Sequence, residues 1–508
     1  MKTMDGPGQD EETWQQETFY SYFRNVADSR RSYPALIFRG KRITYQTLLR
    51  FSDSLCMNLT TRVPVTGERR LAVLTGNTPP SVMALLAASR SGTQVEFIDP
   101  TLPADIIRKR LDLTGASIVL VNEEDFHRVK DAERTTVVCR PQDFMSFEAS
   151  VSYSIRTSLR SERRPRYGDA VIKLTDLIFD GSGGVPESLD VETPWLRLYG
   201  FDASGSQAVF EVSQGQCMAL ARAFARRFMN SDGRLNLVNT VPAFHEAAIV
   251  DGIIAPLSTG GSSALVMDTY DTVEAISACR DAGRPVLLAP GLLLDLIVRE
   301  GLHASLRGVS VTVSVGHPGS HAMEALHSVP VTALIAASHP AAPGIFSAEN
   351  ATKDQAGDSY GTPLEGVSLE IVGDDGSVLP EGQEGYLNIR HQYGNVETGI
   401  RAFTRSGLLH IRRPPGDVLM NGGFYIDPVE LEDLICRSGA VKECAALSTD
   451  EGIEVFAVPA SDGWEGQLGN YSQRNIPYYM RPSRFRRVES IPRNMNGEVV
   501  RRLLVEEE

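Results

Sequence analysis

A few short stretches carry residue types suited to chemistry. Phe244-His245 sets an imidazole beside an aromatic ring. A histidine can act as a general base toward a thiol or orient a carbonyl; it also serves as a wall residue that gates a pocket. Ser204-Gly205-Ser206 joins hydroxyl donors to a glycine, a combination that lets backbone amides approach an anion. The same three residues read equally well as a plain strand-to-helix turn. Gly422-Gly423, before Phe424, allows backbone to come close to a slender ligand. Gly316-His317-Pro318-Gly319 reads as a loop, and His339, alone before Pro340, as a surface residue. The chain closes on IPRNMNGEVVRRLL (491–504), in which Glu498 follows a glycine.

Something must position these residues, and composition limits what. The chain has 508 residues, 42% apolar and 22% charged, and a net charge of −14. That length allows two or more domains with ordinary globular cores. The acidity argues against a nucleic-acid partner, which needs concentrated Lys and Arg. The polar, acidic start has no basic stretch leading into an apolar one, so no signal peptide is expected. No apolar run is long enough to span a bilayer, and a cytoplasmic location is expected. Six cysteines without CxxC spacing or a histidine cluster read as buried thiols, not as a disulfide framework or a zinc site. No metal site is expected.

Residues 1–18 read as a flexible tail. From Pro34 onward, short β runs alternate with helical runs. Examples are Leu36 to Phe38, the helix carrying Leu48, Leu55 and Leu59, then Leu71 to Leu74 and Gln94 to Ile98. This rhythm predicts βαβ units and parallel sheets. Residues 150–195, basic and then rich in Gly, Ser, Pro and acids, read as surface loops. Alternating stretches at Gly366 to Val372 and Gly385 to Arg390 predict antiparallel pairs. Pro414 and Pro415 before Gly416 mark a hinge at 413–416, and Pro428 opens a helix in a separate terminal segment.

In that order the phrases resemble the adenylate-forming superfamily of acyl- and aryl-CoA synthetases, peptide-synthetase adenylation domains and luciferases. The phrases include Ile43-Thr44-Tyr45, Gly76-Asn77, Asp99-Pro100, Pro242 to His245, Gly361-Thr362-Pro363, Gly407 to Ile411, Gly422 to Pro428 with Glu430 and Glu432, and the terminal phrase. The resemblance runs from about residue 19 to the end. It implies an α/β fold with a large N-terminal domain, 19–412, of two parallel-rich sheets flanked by helices plus a small β-barrel. A small mobile α+β domain, 417–508, follows the hinge.

In that superfamily a carboxylate is joined to AMP from ATP, the small domain turns, and a thiol takes the acyl group. The nucleotide-side positions depart from the family pattern. The phosphate loop at Ser204, Gly205 and Ser206 is shortened, lacks lysine and is flanked by Asp202. The adenine and magnesium motif, expected near 334–344, holds no aromatic residue and no carboxylate. Ile400 stands where the ribose-binding aspartate belongs, Pro414 where an arginine precedes the hinge, and Glu498 where the catalytic lysine belongs. The thiol-side positions match better. The resemblance implies an acyl pocket at Phe244, His245 and Gly316, with His245 a candidate catalytic residue, and a CoA or pantetheine contact at Gly422, Gly423 and Phe424.

The expected function is therefore ATP-independent transfer of an acyl or aryl group, held as a thioester, between CoA and the phosphopantetheine thiol of an acyl or peptidyl carrier protein in a biosynthetic pathway. ATP and Mg²⁺ are not expected as cofactors. A noncatalytic carrier-binding scaffold and a divergent ATP-dependent ligase are the alternatives.

Overall fold

The computed structural model describes residues 17–63, 65, 68–129, 134–158, 165–179, 186–350, 359–392, 394–449, 452–494 and 499–504. The order of strands and helices is that of a mixed α/β protein with a large N-terminal sheet domain and a smaller C-terminal domain.

Two sheets build the large domain. One has seven strands, in the spatial order 171–173, 135–139, 118–122, 70–74, 94–97, 194–201 and 207–213. All neighbours are parallel except the final hairpin, Pro194–Phe201 with Gln207–Ser213. The other sheet has thirteen strands, and its parallel centre runs through Val286–Pro290, Val311–Val315 and Thr332–His339. Strands buried on both faces are near-continuous apolar runs, as in Ile118–Asn122 and Val286–Pro290. The helix Pro79–Ser91 is buried from Pro79 to Ser89, so its apolar residues are not confined to one stripe.

The antiparallel strands expected as a small barrel join the edge of this second sheet. Ser359–Pro363 pairs with Ala342–Asn350 on one side and Leu408–Arg413 on the other, making one continuous surface. Residues 150–195 depart from expectation. Phe147–Ser158 and Leu174–Ile178 are helices and Val171–Lys173 is a strand. Tyr153, Leu174 and Leu177 are buried, whereas Phe147, Val151 and Ile155 of the first helix are exposed. The parts of this stretch at 159–164 and 180–185 lie outside the described residues. At the start, Thr18 is fully buried and caps the helix Phe19–Ser29, so it is not part of a flexible tail; residues 1–16 lie outside the described residues.

The small domain packs a three-stranded sheet, Val441–Thr449, Gly452–Pro459 and Arg484–Arg487, against the helices Pro428–Cys436 and Trp464–Asn475. Asp427 caps the first helix and Pro428 opens it. The terminal phrase is stitched back onto this domain. Arg501 pairs with Glu432 at 2.6 Å and with Asp417 at 2.9 Å, and Leu504 is buried beside Phe456 and Ile491. Glu498 itself lies outside the described residues.

One buried carboxyl makes the parallel sheet sensitive to pH. Glu96 sits on strand Gln94–Phe97 in register with Arg197 and is 2% exposed. Burial pushes its carboxyl up from 4.5 to about 7, against the pull of Thr114 and Arg197. The unfolded chain thus loses this proton first. Stability falls as pH rises from 4.5 to 7, by about 3 kcal/mol for a shift of this size. Glu96→Gln should remove that slope. Urea unfolding midpoints at pH 5 and pH 8 should then differ less in the variant than in the wild type.

Candidate active site at the domain junction

The two domains meet through bare backbone. Gly316, at φ +75°, ends the strand Val311–Val315; a Cβ there would lie 2.3 Å from the Gly423 nitrogen. A Cβ on Gly423, at φ +97°, would lie 2.4 Å from the Val315 carbonyl oxygen, and one on Gly422 2.4 Å from Leu292 Cγ. The glycine pair expected to face a ligand thus brings the small-domain loop against the large domain. Both positions need φ above zero and no side chain, which only glycine supplies without cost.

Beside this contact an aromatic cluster spans the junction. The Phe424 ring lies 5.5 Å from His245, edge to face, and 4.9 Å from Tyr479; Phe244 lies 6.4 Å from Phe424 and 5.7 Å from Tyr479. Edge-on and tilted geometries at these separations are attractive beyond area burial. The sequence-predicted residues Phe244, His245, Gly316, Gly422, Gly423 and Phe424 therefore do come together in one place.

His245 is buried and caps the short helix Glu246–Ile249, its Nδ1 accepting from the Ala247 amide at 3.2 Å. A nitrogen that accepts that bond carries no proton, so the ring proton is on Nε2. Glu246 Oε2 lies 3.5 Å from the same Nδ1, beyond ordinary hydrogen-bond length. In this state Nε2 is a donor, suited to a carbonyl oxygen. The expected alternative of a general base needs a free ring lone pair, and here Nδ1's is engaged.

Polar contacts lock the same docking. Tyr479 donates to Asp99 Oδ2 at 3.1 Å, while Asp99 Oδ1 accepts from the Thr101 amide and hydroxyl. Arg110 pairs with Glu430 at 3.4 Å and lies over the Tyr199 ring. Arg437 bridges Asp105 and Asp433, and Tyr270 stacks on Tyr478 at 4.2 Å. Burial raises the carboxyls of Asp99 and Glu430, and in both cases Arg110 opposes it. Of these residues, Asp99 and Glu430 lay within recognisable phrases. Arg110 and Tyr479 carried no sequence signal.

Of the remaining candidate positions, Ser204, Gly205, Ser206 and Pro414 gather around the expected hinge at 413–416. Ser204, Gly205 and Ser206 form the turn of a strand-to-strand hairpin, not the entry to a helix. Asp202 Oδ1 accepts from the Ser204 amide and hydroxyl and from the Ser206 amide. Asp202, counted in the sequence as added negative charge, organises this Asx turn. A Cβ on Gly205 would lie 2.9 Å from the Pro415 carbonyl oxygen, one on Gly416 2.8 Å from that of Ser204, and one on Gly399 2.4 Å from Ala203 Cα. The turn is seated on the hinge, and Pro414 and Pro415 are buried. Gln207 donates to Asp427 at 2.7 Å, tying the same hairpin to the small domain. Ile400 is 1% exposed and packs in the main core.

His339 corrects the expectation of a surface residue. It is buried at the tip of the hairpin Thr332–His339/Ala342–Asn350, edge-on to Phe210 at 5.5 Å. Its Nδ1 accepts from the Ala341 amide, and burial pulls its pKa down to about 4. The tight His339-Pro340 turn tucks the ring inward, which a single histidine before proline did not suggest. Asp251 was also missed. It is fully buried in a π-turn, Val250–Ile254, and accepts from the Ile345 amide at 2.8 Å. Among the described residues no cluster of His, Cys, Asp and Glu is arranged to hold a metal ion, and no helix is long and apolar enough to cross a membrane.

Comparison with known proteins agrees with this architecture. Residues 23–177 match the family model for AMP-binding enzymes. A 2-succinylbenzoate–CoA ligase of Lactococcus lactis is 29% identical over 29% of the chain and 35% of its own length, so that match spans about a third of the relative. A long-chain-fatty-acid–CoA ligase of Escherichia coli is 20% identical over 93% of the chain and 91% of the relative. An o-succinylbenzoate CoA synthetase (MenE) double mutant from Bacillus subtilis, bound to a product analogue, superposes with a TM-score of 0.74 at 15% identity, covering 96% and 98% of the two chains. The same synthetase with its acyl-adenylate intermediate gives 0.65 at 14% identity, over 95% and 97%. A fused adenylation–carrier di-domain from Klebsiella oxytoca gives 0.71 at 17% identity, over 94% and 95%. The family match at residues 23–177, the relatives and the shared fold make this chain similar to the adenylate-forming superfamily. The chain is acyl- and aryl-CoA-ligase-like.

The glycine contact yields a direct test. Gly423→Val inserts carbon where the Val315 carbonyl already stands, so the small domain should undock while each domain stays folded. Small-angle scattering should report a larger radius of gyration with an unchanged far-ultraviolet circular dichroism spectrum. An unchanged radius would show that the contact does not set the arrangement.

Proposed function

We propose that this protein moves an acyl or aryl group between thiols, from CoA to an acyl or peptidyl carrier protein or the reverse, without consuming ATP. The observation that carries this reading is the seating of Gly422, Gly423 and Phe424 against Gly316, Phe244 and His245. It puts the expected thiol-side loop beside the expected acyl pocket. The attacking thiol loses its proton, its sulfur bonds to the thioester carbon, and the departing thiolate takes up a proton. His245 is assigned as a positioning donor: its Nε2–H holds the carbonyl oxygen as negative charge builds on it. Exchange between thioesters is nearly balanced, so positioning supplies most of what is required.

Three further observations support the reading. Ile400 packs in the core, where it offers no hydrogen-bond acceptor side chain to a ribose. The turn at Ser204 closes on the hinge and not around an open cradle. The product-analogue complex of MenE superposes better than its acyl-adenylate complex. The glycines at 316, 422 and 423 are taken up by the contact between the domains, so a pantetheine arm would be held beside them, along Phe244, His245 and Phe424. For Mg²⁺ the fit is poor: residues 334–344, where the resemblance places the family's acid, carry no carboxylate, and His339 among them is buried.

The names of the relatives, which are ligases, favour a second reading as an ATP-dependent CoA ligase. One experiment separates the two. The protein is incubated with a panel of acyl-CoAs and a holo carrier protein, and acylated carrier is followed by mass spectrometry. Transfer without ATP is the expected outcome. Transfer only with acid, ATP and Mg²⁺, with release of pyrophosphate, supports the ligase. No transfer under either condition supports a scaffold. His245→Ala should slow transfer by about 10²- to 10³-fold, with the carrier concentration at half-rate little changed.

Glu498→Lys alone should not produce ATP–pyrophosphate exchange, because the positions at Ser204, Ile400, Pro414 and 334–344 remain as they are. Exchange in that single variant would return the protein to the ligase class.

A further inference from the structure

We propose that Cys436 and Cys444 are a redox couple that hydrogen peroxide closes to a disulfide, fastening the end of the docking helix to the small-domain sheet. All six cysteines are free thiols, and among them Cys436 and Cys444 are in contact, their sulfurs 3.8 Å apart. Cys436 is the last residue of the helix Pro428–Cys436 and is half-buried, within reach of a small oxidant. Cys444 is buried on the neighbouring strand Val441–Thr449, and its sulfur also lies 3.6 Å from the Glu432 carbonyl oxygen. The other four thiols are buried.

The surroundings divide the labour. The S–H of Cys444 holds the Cys436 thiol below its ordinary range, against burial and the charges of Glu432 and Asp433. The same contact, with burial, pushes Cys444 up. The half-buried thiol of lower pKa is therefore the attacking group and the buried one the resolving group. The Cys436 thiolate attacks one peroxide oxygen, the O–O bond breaks, and the departing hydroxide takes a proton and leaves as water. Cys436 is now a sulfenic acid. The Cys444 sulfur attacks that sulfur, the S–S bond forms, and a second water leaves with the Cys444 proton. Two thiols and one peroxide give one disulfide and two waters. Bonding requires sulfurs at about 2 Å, an approach that a side-chain rotation at a helix end can supply.

The couple sits in a consequential place. Its helix carries Glu430 and Asp433, and Arg437 follows, so this element reaches Arg110 and Asp105 of the large domain. Treating the full chain with equimolar hydrogen peroxide should lower its intact mass by two hydrogen atoms. Peptide mapping should link 436 to 444, and dithiothreitol should reverse the change. Cys444→Ser should leave Cys436 as a sulfenic acid captured by dimedone, and Cys436→Ser should abolish both products. Accumulation of sulfinic acid at Cys436 in the wild-type chain without the linked peptide would overturn the proposal. So would two thiols left unreacted under conditions that oxidise glutathione.

Discussion

The arrangement depends on one close approach: the backbone of Gly423 lying against the backbone of Gly316 and Val315. No side chain fits between them, so the small-domain loop reaches the large domain only because three glycines stand there. Everything else at the junction follows from that distance. With the loop seated, Phe424 falls edge-on to His245, Tyr479 reaches Asp99, and Arg110 meets Glu430. The polar contacts alone would be a weak clamp, since exposed ion pairs contribute little. Buried beside an aromatic cluster, they are specific as well as attractive.

Much of the fold was legible because it follows from periodicity. Apolar runs such as Ile118–Asn122 are continuous because both faces are covered, and Pro428 with Asp427 announces a helix start in the only way those residues fit one. The acyl-pocket and glycine positions were legible as ordered phrases, and the structure gathers them. Arg110 and Tyr479 were not legible: an arginine in an amphipathic helix and a tyrosine in a short turn look like surface until tertiary packing brings them to a partner.

Two readings went astray for want of long-range information. Phe147–Ser158 was hidden by the arginine-rich run that overlaps its end, and His339, which tertiary packing buries against Phe210, by an adjacent proline. Ser359–Pro363 shows this most clearly. Nothing in its five residues says that it hydrogen-bonds to both neighbours and so fuses two halves of one sheet.

The stitching of Arg501 to Asp417 and Glu432 has a mechanical meaning. Asp417 is the first residue past the hinge and Arg501 lies near the end of the chain, so the small domain is clasped where it begins and where it finishes. We expect a body closed in this way to turn as one lever about Gly416, at φ +57°.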